Sequence, residues 1–312
     1  MAFDSLRADW RAQPAVIRGV ALMCASTVFF SVMHVSIRHV SAELPPFEIA
    51  FFRNLFGLLV LTPLLLRSGF QEMRTQRIGL HALRSLLNIG AMLMFFTALA
   101  ITPLAKVTAL SFTAPIFTAL MSYFILGEVF RVRRWLAIGA GFVGMLIVLR
   151  PGVAMVEPGA LLALGSATLW AGALIVIKVL SRTESSVAIV AWMGVFLSVF
   201  SLGPALWVWR DPTPEAWVWL VFIGIIGTLG QVALSQALKE ADPGAVMPFD
   251  FLKLIWISLL AAWAFGEIPD AWTFVGAAVI FSAGIYVVRR ERREARAATT
   301  ALRDNAGQGR DF

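Results

Sequence analysis

Among the ionisable side chains inside long apolar stretches of this 312-residue chain are Arg53, Arg84, Lys106, Asp250 and Lys253. A charge at the centre of a bilayer costs at least about 2.5–3.5 kcal/mol on insertion scales, so each needs a partner, a wet cavity or a solute. Asp250 and Lys253 are three residues apart, on one face of a helix, where they can pair. Binding or coupling to a solute explains that pair, and so does an ion pair that merely softens insertion. His81, Arg84 and Asn88 make a polar stripe that suits a cavity or a helix seam rather than lipid. His34 can relay protons or hydrogen-bond inside a bundle.

Two stripes match each other. Ser26, Phe30, His34 and Arg38 step by four, as do Ser166, Trp170, Leu174 and Lys178. Arg38 and Lys178 suit outer and inner gates, and also suit side chains that reach from two interfaces toward water. Thr228, Gln231 and Ser235 share a face, and so do Thr108, Ser111 and Pro115. Candidate solute-binding residues are therefore Arg84, Asn88, Ser111, Trp170, Gln231, Asp250 and Lys253. Candidate gating or coupling residues are His34, Arg38, Arg53, Lys106 and Lys178. Pro115 and Pro248 each free a backbone carbonyl and break a helix. Glu128 and Glu267 fall at helix ends and read as gate or turn residues.

The elements that must carry these residues are membrane spans. The chain is 59% hydrophobic and 14% charged, with a mean hydropathy of +0.80, which does not describe a soluble domain. Apolar runs of membrane-crossing length recur at 18–39, 46–66, 79–101, 103–126, 132–149, 159–180, 187–209, 215–237, 244–265 and 271–288. With the N-terminus inside, external segments hold only Arg38, Arg150 and Arg210, and the cytoplasmic ones hold most of the 26 basic residues. The net charge of +7 is thus a topology signal that places both termini in the cytoplasm, not a nucleic-acid one. The first span reads as retained rather than cleaved, and the lone Cys24 points to neither disulfide nor metal chemistry.

The second half repeats the first. Gly19, Ser26, Ile37 and Ser41 return as Gly159, Ser166, Ile177 and Ser181, and Gly127-Glu128 returns as Gly266-Glu267 after a one-residue gap. A tandem unit with an odd number of spans enters the membrane in opposite orientations, which relates the copies by a two-fold axis in the membrane plane. The expected fold is an all-α membrane protein of ten transmembrane helices in two inverted five-helix repeats, 18–152 and 158–290. A cytoplasmic segment 1–17 precedes them and a cytoplasmic tail 291–312 follows. Broken helices in matching positions mark a midplane site. On the Gly-Glu register Pro115 faces Leu254, so the two central helices should differ in detail.

The ordered motifs resemble the EamA-type domains of the drug/metabolite transporter superfamily. They are Phe51-Phe52-Arg53-Asn54-Leu55, Leu83-Arg84-Ser85-Leu86, Ala98-Leu99, Pro103-Leu104-Ala105, Phe112-Thr113-Ala114-Pro115-Ile116-Phe117 and Gly127-Glu128. Arg133-Arg134-Trp135, Gly141-Phe142-Val143-Gly144 and Arg150-Pro151-Gly152 close the first copy. Pro248-Phe249-Asp250-Phe251 and Gly266-Glu267-Ile268-Pro269 carry the second. The resemblance covers about residues 18 to 290. It implies an inner-membrane carrier of small metabolites, and leaves the substrate open.

The function expected is secondary-active or facilitative transport of an amino acid, an amino-acid derivative, a vitamin or a related polar solute, by alternating access of two rocking five-helix bundles. Its partners are that solute and the lipid bilayer; proton coupling and homodimerisation are left open, and no cofactor, metal or nucleic acid is expected. The small-residue faces Gly139, Gly141, Gly144 and Gly276, Ala278, Ser282, Gly284 suit close helix packing. Arg53, Arg84, Lys106 and Lys253 outnumber Asp250, so a cavity of surplus positive charge favouring an acidic solute is expected. The alternative is a multi-span membrane enzyme, or a receptor or scaffold. The enzyme reading lacks His-Glu-x-x-His, Gly-x-Ser-x-Gly, paired Asp-rich diphosphate motifs and a Walker-type loop.

Overall fold

The computed structural model describes residues 13–68, 75–126, 132–150, 157–180, 183–184, 186–241 and 246–286. The expected cytoplasmic tail 291–312, Glu128 and most of the segment 1–17 lie outside them. Every regular element among the described residues is helical. In order these are α1 (Ala15–Val40), α2 (Pro46–Ser68), α3 (Ile78–Ile101), α4 (Leu104–Ser111), α5 (Ala114–Leu126) and α6 (Val132–Leu149). The second half holds α7 (Pro158–Leu180), α8 (Ser186–Trp207), α9 (Pro214–Glu240), a 3-10 turn (Met247–Phe251), α10 (Leu252–Phe265) and α11 (Ala271–Tyr286). These are the ten expected spans. The fourth is α4 with α5, and the ninth is the 3-10 turn with α10.

Prolines start the helices and glycine stops one. Pro46, Pro158 and Pro214 take the first position of α2, α7 and α9, where a missing N–H costs nothing. Thr213 caps α9, its hydroxyl accepting from the Ala216 N–H at 3.2 Å. Gly266 at φ 68° closes α10 in the left-handed conformation. Large apolar side chains face outward around a core that is mostly apolar and also holds polar groups. Trp263, Phe124, Val218 and Leu136 are exposed while Ser26, Thr27, Ser31 and His34 are buried. Several buried hydroxyls bond back into their own helices, as from Ser36 to the Val32 carbonyl at 2.9 Å, where lipid would offer no partner.

The repeats interleave rather than sit side by side. Packing is most extensive between α1 and α9 and between α3 and α7, one helix from each repeat in both cases. The two seams carry the same hydrogen bond. Ser26 donates to the Gly230 carbonyl at 3.0 Å, and Ser166, its repeat mate, donates to the Ala91 carbonyl at 2.7 Å. Packing therefore mixes the repeats: α1 packs with α9 and α10, and α7 packs with α3, α4 and α5.

Small residues consume their faces inside the bundle. A Cβ on Gly276 would lie 2.7 Å from the Gly144 carbonyl and 3.0 Å from the Val148 N–H nitrogen, so α6 and α11 touch backbone to backbone. Gly141 meets Ile116, and Gly284 meets Pro115. Gly276→Ala should lower the thermal unfolding midpoint in detergent, since the obstacle is backbone and overpacking costs about 1–3 kcal/mol. Gly139→Ala, whose Cβ would meet nothing within 4 Å, should leave the midpoint unchanged or slightly raised.

Candidate functional site

Two interrupted spans meet at the centre. In the fourth, α4 ends at Ser111, and its last hydroxyls turn back, Ser111 to the Thr108 carbonyl and Thr113 to the Leu110 carbonyl, each at 2.7 Å. Pro115 then sits in the first turn of α5, where its lost N–H is harmless. In the ninth, Pro248 sits in the 3-10 turn and the α-helix begins at Leu252. The breaks differ in form, as the shifted prolines predict. They end on matched residues, because the register that sets Gly127 on Gly266 sets Phe112 on Phe251. Those two rings lie 5.8 Å apart, and Phe281 packs against both, edge-on to Phe112 at 5.6 Å and tilted against Phe251 at 4.7 Å. Contact between symmetry mates locates the two-fold axis.

Asp250 and Lys253 flank that contact. The Lys253 ammonium lies 3.3 Å from each Asp250 carboxylate oxygen and 5.3 Å from the Phe112 ring centroid, a favourable place for a cation. The Ser31 hydroxyl of α1 donates chiefly to the Thr27 carbonyl of its own helix at 2.7 Å and lies 3.3 Å from the Lys253 carbonyl, so α1 touches the start of α10 here. His34, one turn along α1, is 7% exposed. It packs against Phe30 and, edge-on, against Phe95 at 5.1 Å. Its Nδ1 has no hydrogen-bond partner among the described residues. Lys253 and Arg53 are the charged groups that act on it. Arg53 donates to the Asn54 side-chain oxygen at 3.0 Å, and Gly227 leaves room for its guanidinium.

Other candidates lie elsewhere. Arg84 is buried at the α3–α8 seam, donating to the Ile189 carbonyl at 2.7 Å and to the Met193 sulfur at 3.2 Å. His81 beside it faces Glu184 at 3.9 Å, whose other oxygen accepts from the Thr75 hydroxyl. Lys106 pairs with Glu157 at 3.0 Å. The expected surplus of positive charge is reduced: Lys106 and Lys253 each have a carboxylate and Arg84 is spent on a helix seam, while Arg53 keeps only the neutral Asn54 as a partner among the described residues. Asn88 is buried and Gln231 half-buried, neither hydrogen-bonded among the described residues, and Trp170 is 39% exposed on α7. Lys178 and Pro248 lie in described helical backbone, and their side chains fall outside the described residues.

At the opposite end of α1, Arg38 does more than reach for water. Its Nη2 donates to Glu267 Oε1 at 3.1 Å and its Nη1 to the Leu99 carbonyl at 2.9 Å. Glu267 Oε2 accepts the Leu104 N–H at 3.0 Å. The cation thus sits at the C-terminus of α3 and the carboxylate at the N-terminus of α4, each where the helix dipole favours it. Nearby, Arg150 pairs with Asp270, which caps α11 by accepting the Thr273 N–H at 2.7 Å. Burial alone would raise the Asp270 carboxyl; the Thr273 hydrogen bonds and the Arg150 charge outweigh it and hold it below its usual range.

Two of these partners, Glu157 and Glu184, are not singled out by the sequence. They lie at span ends, where a hydropathy reading sees only loop. The useful signal is a carboxylate just before a span-opening proline, as in Glu157-Pro158.

Known proteins share this architecture. Residues 17–150 and 157–290 both match the EamA-like transporter family. The S-adenosylmethionine uptake transporter of Rickettsia bellii is 30% identical over 88% of this chain and 94% of its own length. The riboflavin transporter of Vibrio cholerae is 30% identical over 90% and 96%, and the pseudopaline exporter of Pseudomonas aeruginosa 30% over 88% and 97%. A solved crystal structure superposes with a TM-score of 0.60 over 89% of this chain and 98% of its own, at 18% identity, which bears on the fold alone. The proteins named are transporters of small metabolites, not enzymes. With both halves matched, nearly end to end, this chain belongs to the EamA-like transporter family.

Proposed function

We propose that the chain moves a small polar organic metabolite across the cell inner membrane by alternating access, with both termini cytoplasmic. The observation that carries this is the meeting of two interrupted spans, one from each inverted repeat, at Phe112 and Phe251 beside the Asp250–Lys253 pair. Interrupted helices place unpaired backbone and charge where a solute can use them. The relatives carry S-adenosylmethionine, riboflavin and pseudopaline, organic solutes too large for a simple pore and rich in polar groups. Asp250 and His34 are the groups available for coupling to a proton gradient.

The moving parts follow from the packing. Arg38 and Glu267 belong to the group of α1, α9 and α10, while Leu99 and Leu104 belong to the group of α3 and α4. The ion pair is therefore internal to one group, and its two backbone hydrogen bonds grip the other. This cluster is the external latch: opening outward breaks the bonds to Leu99 and Leu104 while Arg38 and Glu267 keep each other. The Arg18–Glu240 pair, at 2.7 Å, lies within the α1–α9 seam and stays closed throughout.

Arg38→Ala and Glu267→Ala should each cut flux in proteoliposomes about tenfold at unchanged membrane abundance, and the double variant should be no worse than the weaker single, as for residues acting as one unit. Additive losses would mean independent roles. Arg84→Ala should lower the thermal midpoint and leave the half-saturation concentration unchanged, because Arg84 braces α3 against α8. A raised half-saturation concentration at unchanged stability would place it in the solute site instead.

A further inference from the structure

Resting on the transport reading, we infer that the Asp250–Lys253 pair is a receptor for a zwitterionic head group, so that the solute carried is an α-amino acid or a larger metabolite with an α-amino-acid head. The pair is loosely closed. Both of its N···O separations are 3.3 Å, against about 2.7–2.9 Å for a strong charge-assisted bond. Other ion pairs of this chain are shorter, 2.7 Å for Arg18–Glu240 and 3.0 Å for Lys106–Glu157.

The pair is also unfilled. An ammonium has three donors and a carboxylate about four acceptor sites. Among the described residues neither side chain has a hydrogen-bond partner other than its mate. Both keep accessible surface, 22% for Asp250 and 15% for Lys253, although their neighbours are Ser31 of α1 and Phe112 at the α4–α5 break. Space therefore adjoins both charges at the meeting point of the two interrupted spans.

The Asp250–Lys253 pair is itself dipolar, and that selects what it can hold, with Arg53 a further cation acting on the neighbouring His34. A solute with only a carboxylate would gain Lys253 and face Asp250. One with only an ammonium would gain Asp250 and face Lys253. In a low-dielectric site each uncompensated approach is costly. A zwitterion offers its carboxylate to Lys253 and its ammonium to Asp250, and it exchanges one loose contact for two charge-assisted ones. The remainder of such a solute meets Phe112, Phe251 and Phe281, whose rings form an apolar wall beside the pair. The unpartnered His34 Nδ1 supplies a further polar atom.

The test uses counterflow in proteoliposomes containing the full chain, with S-adenosylmethionine, phenylalanine, 3-phenylpropionate, phenethylamine and riboflavin as probes. The three phenyl compounds share a ring and differ only in carrying both charges, the carboxylate alone or the ammonium alone. Saturable flux of S-adenosylmethionine or phenylalanine, with both singly charged analogues at least about tenfold poorer, is expected. Asp250→Asn should shift preference toward 3-phenylpropionate, and Lys253→Gln toward phenethylamine. The double variant, which leaves no buried charge unpaired, shows whether a loss comes from misfolding. Riboflavin flux without flux of either amino-acid compound overturns this inference and leaves the transport reading intact. No saturable flux of any probe overturns both. Unaltered preference in the single variants assigns the pair to helix stability and overturns the inference alone.

Discussion

Hydrocarbon supplies no hydrogen bonds, and that constraint shapes this protein more than any single contact. A helix that breaks within the membrane exposes carbonyls and N–H groups that only protein can satisfy. This chain breaks two, and closes them on each other and on α1. Ser111 and Thr113 turn their hydroxyls back onto α4, and Ser31 reaches the Lys253 carbonyl from α1. Phe112 and Phe251 fill the axis between the breaks.

The same constraint explains why the repeats interleave. Apolar helices gain little from one another in lipid, so packing follows close backbone approach and interhelical hydrogen bonds. Ser26 to Gly230 and Ser166 to Ala91 supply one such bond to each seam, and Gly144 against Gly276 closes another. Each seam joins one helix of each repeat. In the proposed transport cycle motion occurs between mixed groups, and the Pro103 corner between α3 and α4 is where they meet on the side assigned as external. Arg38 and Glu267 hold that corner by its helix ends. Such a hold is strong while the corner is in place, yet involves only two bonds to break.

Much of this was legible in the sequence. Hydropathy gave the spans, the basic residues gave the expected orientation, and the return of Ser26 as Ser166 gave the inversion. Asp250 and Lys253 were legible as a pair because helical spacing alone brings them together. What spacing along one helix could not reveal was contact between helices. Arg84 finds a backbone carbonyl of α8, which has no side-chain signature. Lys106 finds Glu157 across the repeat boundary, and that pairing reduces the surplus positive charge on which an acidic-solute preference rested. Phe112 against Phe251 was implicit in the register, since residues matched by a two-fold axis touch when they lie on it.

The central claim is that the Asp250–Lys253 corner opens to one side of the membrane at a time, with Arg38 and Glu267 controlling the external side. A single cysteine at Ser31, fully buried beside Lys253, reports this directly in a Cys24→Ser background. A membrane-impermeant thiol reagent applied outside sealed vesicles should react slowly with it, and about fivefold or more faster when Glu267→Gln weakens the latch and shifts the population outward. Equal external reactivity with the latch intact and weakened would contradict the account.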